Sequence, residues 1–436
     1  YHHGESSLQS AIIGMAQIYV GTNNINILSP NGQFGSRIQG GNDSSSPRYI
    51  YTLLSSLTKF IFREEDSCIL NYLEEDGKKI EPEYYIPVIP MILVNGGVGI
   101  GTGFSTNIPQ FNPLDIINTC ISICNNLNGN DIKINNLEDL NEVYNIINNM
   151  EITEFIPYYL GFNGTITKSD KEQFESAGIY NWLDDTTLVI TELPIGKWTD
   201  DYIKFVQDNI IGFKEDKKNC FITDYENHST DSEVKIILKV TDEFIFDYEH
   251  TQPDSDGITY AEKTLKLTTN KTLTNIHLYN SNNQIQKYDS VYKILDEHYS
   301  KRYYLYNTRK EYMLNILKNK IIILESKIRF IHEIIDESIK IYKKTRKEII
   351  GQLYSKEFIL LVDNVIIETK EKSIDTIGAD YDYLIKMPIY SLSQDKIDEL
   401  QKELEKHTNE YNILENKSVK EIWLSELEEL KVGLDR

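Results

Sequence analysis

Two adjacent pairs of side chains could do chemistry, and no short motif announces either. His2-His3 is the only adjacent histidine pair in the chain. An imidazole titrates near neutrality and can hold an anion or pass a proton, but such a pair is more often structural or exposed. Arg48-Tyr49 places a permanent cation beside a phenol. A phenol with a pKa of about 10 is a weak nucleophile unless a neighbour favours the phenolate. A packed aromatic at a helix start is the competing reading of Tyr49, and composition favours it. The four cysteines (Cys68, Cys120, Cys124 and Cys220) lack metal-ligand spacing; they are expected to be buried free thiols in a reducing compartment. The chain has no Walker-type phosphate loop, no GxSxG and no HExxH.

The elements that must position these groups follow from the apolar spacing. Leu8, Ile12, Met15 and Tyr19 lie on one face of a helix over 6–20. A stretch rich in Gly, Asn, Ser and Pro runs from Gly21 to Pro47, broken by Ile25–Leu28, and suggests a hairpin. Helix followed by glycine-rich hairpin fits a winged-helix module. Ile50–Phe62 reads as helical. The prolines of 82–90 and the glycines of 96–103 make a rigid, loop-rich segment. Asn112-Pro113 starts a helix over 112–127. From about 152 to 290 short β-type runs (Thr187–Ile190, Val234–Val240, Ile276–Leu278) alternate with turns. The acidic stretch Asp242–Asp256 reads as a solvated loop.

Beyond Tyr303, Leu314, Leu317, Ile321, Leu324, Ile328, Ile331, Ile335 and Tyr342 recur in steps of three and four, with Ser338 in the polar slot. Ile397, Leu400, Leu404, His407, Tyr411 and Leu414 repeat the pattern. Two such seams predict one long antiparallel coiled coil; a helix over Ser300–Tyr342 would be roughly 65 Å long. The apolar groups between them (Gln352-Leu353-Tyr354, Phe358–Val362, Tyr383-Leu384) fit a self-association tip or a small buried core. Ser418 and Glu421 form a capping box ahead of a helix carrying Trp423.

The chain has 436 residues, enough for two or three domains. Its net charge of −22 argues against a nucleic-acid partner, because phosphate contacts dominate such binding. A DNA-binding chain of this charge must focus its cations in one groove or take them from another segment, and its acids would lie on outlying loops and arms. No apolar run is long enough to cross a membrane, and an intracellular location is expected.

Longer strings alter the odds on Tyr49. YHHGESSLQSAIIGMAQIYVGTNNI, GQFGSRIQGGNDSSSPRYIYTLL, EPEYYIPVIPMILVNG and GIGTGFSTNIPQFNP resemble, in order and spacing, the breakage-reunion region of type IIA DNA topoisomerases of the eukaryotic kind. ITELPIGKWT, DYENHSTDSEV, KYDSV and YDYLIKMPIYSL extend the resemblance over essentially the whole chain. The bacterial gyrase counterparts share the plan but match these strings less closely.

The resemblance implies that Tyr49 becomes joined to a 5′ DNA phosphate. Arg48 would stabilise the transition state and favour the phenolate. His3 would bind the phosphate or pass a proton. Tyr1 falls at a DNA-contacting position, Ile100 at the position of a wedge between base pairs, and Arg37 in the glycine-rich wing is a phosphate-contact candidate. Asn42, Ser6 and Leu160 depart from residues usual at their positions, and none touches the Arg48-Tyr49 pair.

The fold implied is α+β. A partial winged helix (1–60) leads to a mixed α/β tower domain (61–290), with the intercalating loop near 95–106. A long antiparallel coiled coil with a globular dimerisation tip (291–436) forms a gate. The enzyme would be a homodimer on double-stranded DNA. It would be driven by ATP and assisted by Mg²⁺, both bound outside these residues, so this chain alone is expected to be inactive. A non-catalytic DNA-bending protein or a structural coiled-coil dimer is the alternative. The Asn/Ile/Lys-rich composition and the end soon after the last helix suggest a large DNA virus, with a trimmed protozoan enzyme as the competing source. The location would be the nucleus in a cell, or the nucleus or cytoplasmic factory of an infected one.

Overall fold

The computed structural model describes residues 4–126, 154–169, 173–211, 220–255, 257–362, 365–367, 377, 380–388, 390 and 392–435. These fall into two compact units. One holds the described residues up to Tyr304 together with those from Trp423 onward, and the other holds Leu305–Ile422.

The first unit begins with α1 (Glu5–Ala16), a helix that buries only Ala16. Strand β1 (Leu28–Asn31) pairs antiparallel with β2 (Tyr51–Leu54), Leu28 opposite Leu54 and Asn31 opposite Tyr51. The expected helix over 50–62 is therefore mostly absent: Ile50–Leu54 is extended, and only α2 (Thr58–Ile61) is helical. The pairing explains the misreading. Tyr51, Leu53 and Leu54 are 66–71% exposed, so this apolar run has no buried helical face. Next come the hairpin β3 (Tyr72–Glu75) and β4 (Lys78–Pro82), α3 (Met91–Asn95), and a second hairpin of β5 (Gly97–Ile100) and β6 (Ser105–Ile108). Helix α4 (Pro113–Asn126) starts at its proline as expected and buries Ile116, Ile117, Cys120, Ile123 and Cys124 on one face. Cys120 and Cys124 are free buried thiols, whereas Cys68 is exposed.

Strands β7 (Thr165–Ser169), β8 (Gln173–Ala177), β9 (Ile179–Trp182) and β10 (Thr187–Glu192) lead to α5 (Thr199–Asp208), β11 (Ile222–Asn227) and β12 (Ile236–Val240). A four-stranded sheet runs β11-β12-β10-β9. Its alternate residues Leu188, Ile190, Ile236 and Leu238 pack with Val206 and Phe244 in one core. The acidic stretch expected as a loop contains a helix, α6 (Asp242–His250). Thr241 Oγ1 caps it by accepting from Phe244 N, and Phe244 anchors its inner face. After α7 (Tyr260–Thr264), β13 (Thr268–Thr272) completes a three-stranded sheet, β13-β8-β7, and β14 (His277–Tyr279) pairs with β15 (Ile285–Lys287).

Helix α8 (Val291–Ile335) runs from the first unit into the second over 45 residues. It starts earlier and stops earlier than its seam predicts. Glu337 turns left-handed (φ +60°), and Ile339 enters the small core of the second unit with Phe330, Leu353 and Phe358. That unit continues with α9 (Arg346–Ser355), the β16 (Leu360–Val362) and β17 (Val365–Ile367) hairpin, α10 (Asp382–Ile385) and α11 (Gln394–Asn416). Leu353, Phe358, Leu360 and Leu384 belong to this core, so of the two sequence readings the buried one holds for them. Tyr342, Val365 and Tyr390 remain exposed. The two seams meet where Leu324 and Ile331 of α8 bury with Ile397 and Leu400 of α11. Ser418 and Glu421 form the expected reciprocal cap on α12 (Val419–Leu434). In the first unit, Trp423 of that helix stacks 4.2 Å from Tyr299 and donates to Val88 O.

Candidate nucleic-acid interface and nucleophile

Tyr49 closes a three-residue 3-10 turn, Pro47–Tyr49, just before β2. Pro47 fixes its own φ at the first position, Tyr49 N donates to Ser46 O at 2.9 Å, and Ile50 N donates to Pro47 O. The turn and the strand pairing hold the backbone while the Tyr49 ring stays 72% exposed. The Arg48 guanidinium carbon lies 4.9 Å from the centre of that ring. A cation thus sits beside a solvent-facing phenol, an arrangement suited to attack on an anionic ester. Gly32 is required behind the turn: its φ is +115°, and a Cβ there would lie 2.6 Å from Ile50 Cγ2.

The loop leading to this turn is pinned on several sides. Asp43 accepts from both the backbone N–H and the hydroxyl of Ser36. Burial raises the Asp43 carboxyl, but the Ser36 hydrogen bonds more than offset it and hold the group below the usual carboxylate range. The first N–H groups of α5 donate to the loop: Thr199 N to Arg37 O and Asp200 N to Ile38 O. Backbone carbonyls thereby take the place of a side-chain cap. Trp198 fits against Gly40, where a Cβ would fall 2.3 Å from the indole nitrogen. Trp198 also packs edge-on against Tyr19, whose phenol burial, with Asp43 nearby, pushes up to about 12.

Arg37 is placed differently from the phosphate contact expected of it. It is 4% exposed, and its Nη2 lies 2.5 Å from Glu192 Oε1. Glu192 also accepts from Leu193 N and Asn163 N. The buried carboxylate claims the guanidinium, so Arg37 ties the loop to β10 and does not face solvent.

Ile100 stands at the end of β5 and is 92% exposed; Val98, two residues earlier on the same face, is 77% exposed. The turn is closed by Gly101 N donating to Phe104 O. The segment before and within β14 braces the hairpin: Asn107 N donates to Asn275 O, Asn275 Nδ2 to Ser105 Oγ, and His277 Nδ1 to Ser105 O. Two exposed aliphatic groups thus stand together on a braced hairpin.

Tyr1 and His3 lie outside the described residues. The described residues bring Tyr49 and Arg48 together and set Ile100 on a separate projecting element. Sequence reasoning missed Glu192 and Trp198 as supports, although both lie in the ITELPIGKWT string. Among the described residues no group of three His, Cys, Asp or Glu side chains could hold a metal ion. No described helix is long and apolar enough to cross a membrane.

The sequence profile of the DNA gyrase/topoisomerase IV A-subunit family matches residues 1–428. DNA topoisomerase 2 of Plasmodium falciparum is 37% identical over 100% of this chain and 30% of its own length. That of Arabidopsis thaliana is 36% identical over 100% of the chain and 29% of its own length. Chicken DNA topoisomerase 2-alpha is 36% identical over 100% of the chain and 27% of its own length. The chain thus spans less than a third of these relatives. A crystal structure of the Plasmodium falciparum topoisomerase II DNA-binding, cleavage and re-ligation domain superimposes with a TM-score of 0.80 at 38% identity, covering 100% of this chain and 56% of that one.

Proposed function

The chain belongs to the DNA gyrase/topoisomerase IV A-subunit family, and from that membership we propose that it is the DNA cleavage and re-ligation part of a type IIA topoisomerase, with Tyr49 as nucleophile. The observation that carries this reading is the exposed Tyr49 ring on a rigid turn with the Arg48 guanidinium 4.9 Å away. The Tyr49 phenolate attacks a backbone phosphorus. A bond forms from Tyr49 Oη to phosphorus, the bond from phosphorus to the 3′ oxygen breaks, and that oxygen takes a proton. Arg48 offsets charge growing on the phosphoryl oxygens. Reversal re-forms the 3′ bond without an outside energy source, because the phosphotyrosyl ester keeps the bond energy. His3 assists at the phosphate, and Tyr1 contacts the DNA.

Ile100, with Val98 beside it, enters the stack and bends the duplex. Residues 1–60 act as part of a winged helix and 61–290 as the tower. Residues 291–436 form a coiled coil whose tip closes a gate between two copies; burial of the seam between α8 and α11 supports that reading. Two Tyr49 residues, one from each copy, make the double-strand break through which a second duplex passes. ATP and Mg²⁺ act from segments beyond this chain, which alone dimerises without cutting DNA. The enzyme works where DNA is: the nucleus of a cell, or the nucleus or cytoplasmic factory of an infected one. The test is Tyr49→Phe in the full-length protein. Cleavage should vanish while duplex binding persists, and retained cleavage overturns the assignment.

A further inference from the structure

A cavity of about 250 Å³ opens between the end of α1 and the base of the β5–β6 hairpin. Gly14 and Gln17 line it from the helix side, Gly97 and Val98 from the hairpin, and Lys271 of β13 supplies its charge. Lys271 Nζ donates to Tyr159 Oη at 3.2 Å and lies 5.3 Å from the centre of the Tyr159 ring. No carboxylate among the described residues pairs with it. Burial pushes the Tyr159 phenol up to about 12, so this neighbour is neutral and supplies no counter-charge. The same burial lowers the Lys271 pKa.

Gln110 Oε1 on the lining has no hydrogen-bond partner, whereas other acceptors nearby are already engaged. Asn23 Nδ2 donates to Gly14 O and Gln17 O at the end of α1. The Asn95 side chain exchanges both its hydrogen bonds with the Ile25 backbone. A cation drawn from water without a counter-ion is costly, and an arriving anion relieves that cost. The position narrows the choice of anion. Val98 on the rim of the cavity and Ile100 at the hairpin end share one exposed face. On the DNA-binding reading above, a strand wedged by Ile100 would carry a phosphate past this opening.

We propose that the cavity receives one backbone phosphate of DNA next to the step wedged by Ile100, with Lys271 as its cation. The inference rests on the DNA-binding reading above and adds a contact that neither the family strings nor the net charge suggests.

The measurement is the affinity of the full-length protein for a short duplex between about 50 and 200 mM salt. Each neutralised phosphate contributes a slope of about 0.9 in log affinity against log salt. Lys271→Gln should flatten the slope by about that amount, with equal effect on unrelated sequences, and Lys271→Arg should restore it. A slope unchanged in Lys271→Gln overturns the inference and leaves the DNA reading intact. Duplex binding by the unaltered protein that does not respond to salt would defeat the DNA reading itself. Titration with inorganic phosphate separates the two sources of the anion: phosphate binding at Lys271 with an unchanged duplex slope means a small-anion site, and again overturns the inference. Should Lys271→Gln fail to fold, single methylphosphonates placed along the duplex serve with the unaltered protein. Weakened binding is expected at a phosphate flanking the wedged step, and uniform tolerance there contradicts it.

Discussion

Arg37 Nη2 and Glu192 Oε1 lie 2.5 Å apart, and both side chains are at most 5% exposed, although 155 residues separate them in the chain. This pair fastens the loop that leads to Tyr49 to β10, an inner strand of the four-stranded sheet. Removing one partner leaves a buried, uncompensated charge. Glu192→Gln should therefore lower stability by about 3–5 kcal/mol, read by urea or thermal unfolding. A loss below about 1 kcal/mol would mean that the guanidinium finds water or another acceptor.

Ile100, proposed as a wedge, should separate function from stability. Ile100 is 92% exposed and contributes little to any core, so Ile100→Ala should change stability by less than about 0.5 kcal/mol. Its effect should appear as a relaxed bend in an end-labelled duplex followed by energy transfer. An unchanged bend would assign the hairpin another role.

Two groups at the start of α8, buried Asp296 and half-buried His298, should give acid dependence of opposite sign. Burial pushes His298 down to about 4, and nearby Arg302 adds to this; its Nε2–H donates to Pro87 O. Between about pH 6.5 and 4 the unfolded chain takes up a proton at His298 that the folded chain refuses, so this group costs stability as pH falls. Burial pushes Asp296 up to about 6, and its Oδ1 has no hydrogen-bond partner. Its folded form takes a proton between pH 6 and about 3.8 that the unfolded form does not, so this group adds stability as pH falls. Asp296→Asn should raise the Tm at pH 7, with the gain closing by about pH 4. His298→Gln should lose less stability than the unaltered protein over the same descent. A gain in Asp296→Asn that is constant with pH would place the carboxyl in water.

Gly40 offers a test of loop placement. Its φ is +61°, and a Cβ would collide with the Trp198 indole. Gly40→Ala should cost about 1 kcal/mol or more from backbone strain alone, and it should slow cleavage by shifting the segment that ends in Tyr49. Normal cleavage kinetics would mean that Trp198 yields.

Local periodicity made the long elements legible. The steps of three and four at Leu324, Ile328, Ile331, Ile397 and Leu400 appear as a buried seam, and Pro113 starts α4 as expected. What the pattern hid depends on distant partners. Arg37 looked like a surface cation because Glu192, which buries it, lies 155 residues away. Ile50–Leu54 looked helical because its pairing with Leu28–Asn31 cannot be read from local apolar spacing. The acids of Asp242–His250 suggested a loop, but the Thr241 cap and the Phe244 anchor decide for a helix. Tyr49 itself was legible only through long family strings, because neither its type nor its spacing sets it apart.

The most direct test is to identify the covalent link. Full-length protein reacting with duplex DNA, quenched with detergent and digested with nuclease and protease, should yield one peptide bearing a 5′-linked nucleotide on Tyr49 by mass spectrometry. Tyr51, 68% exposed and two residues away, is the built-in control. An adduct on Tyr51 or any other residue, or cleavage without an adduct, would contradict the assignment of Tyr49 as nucleophile.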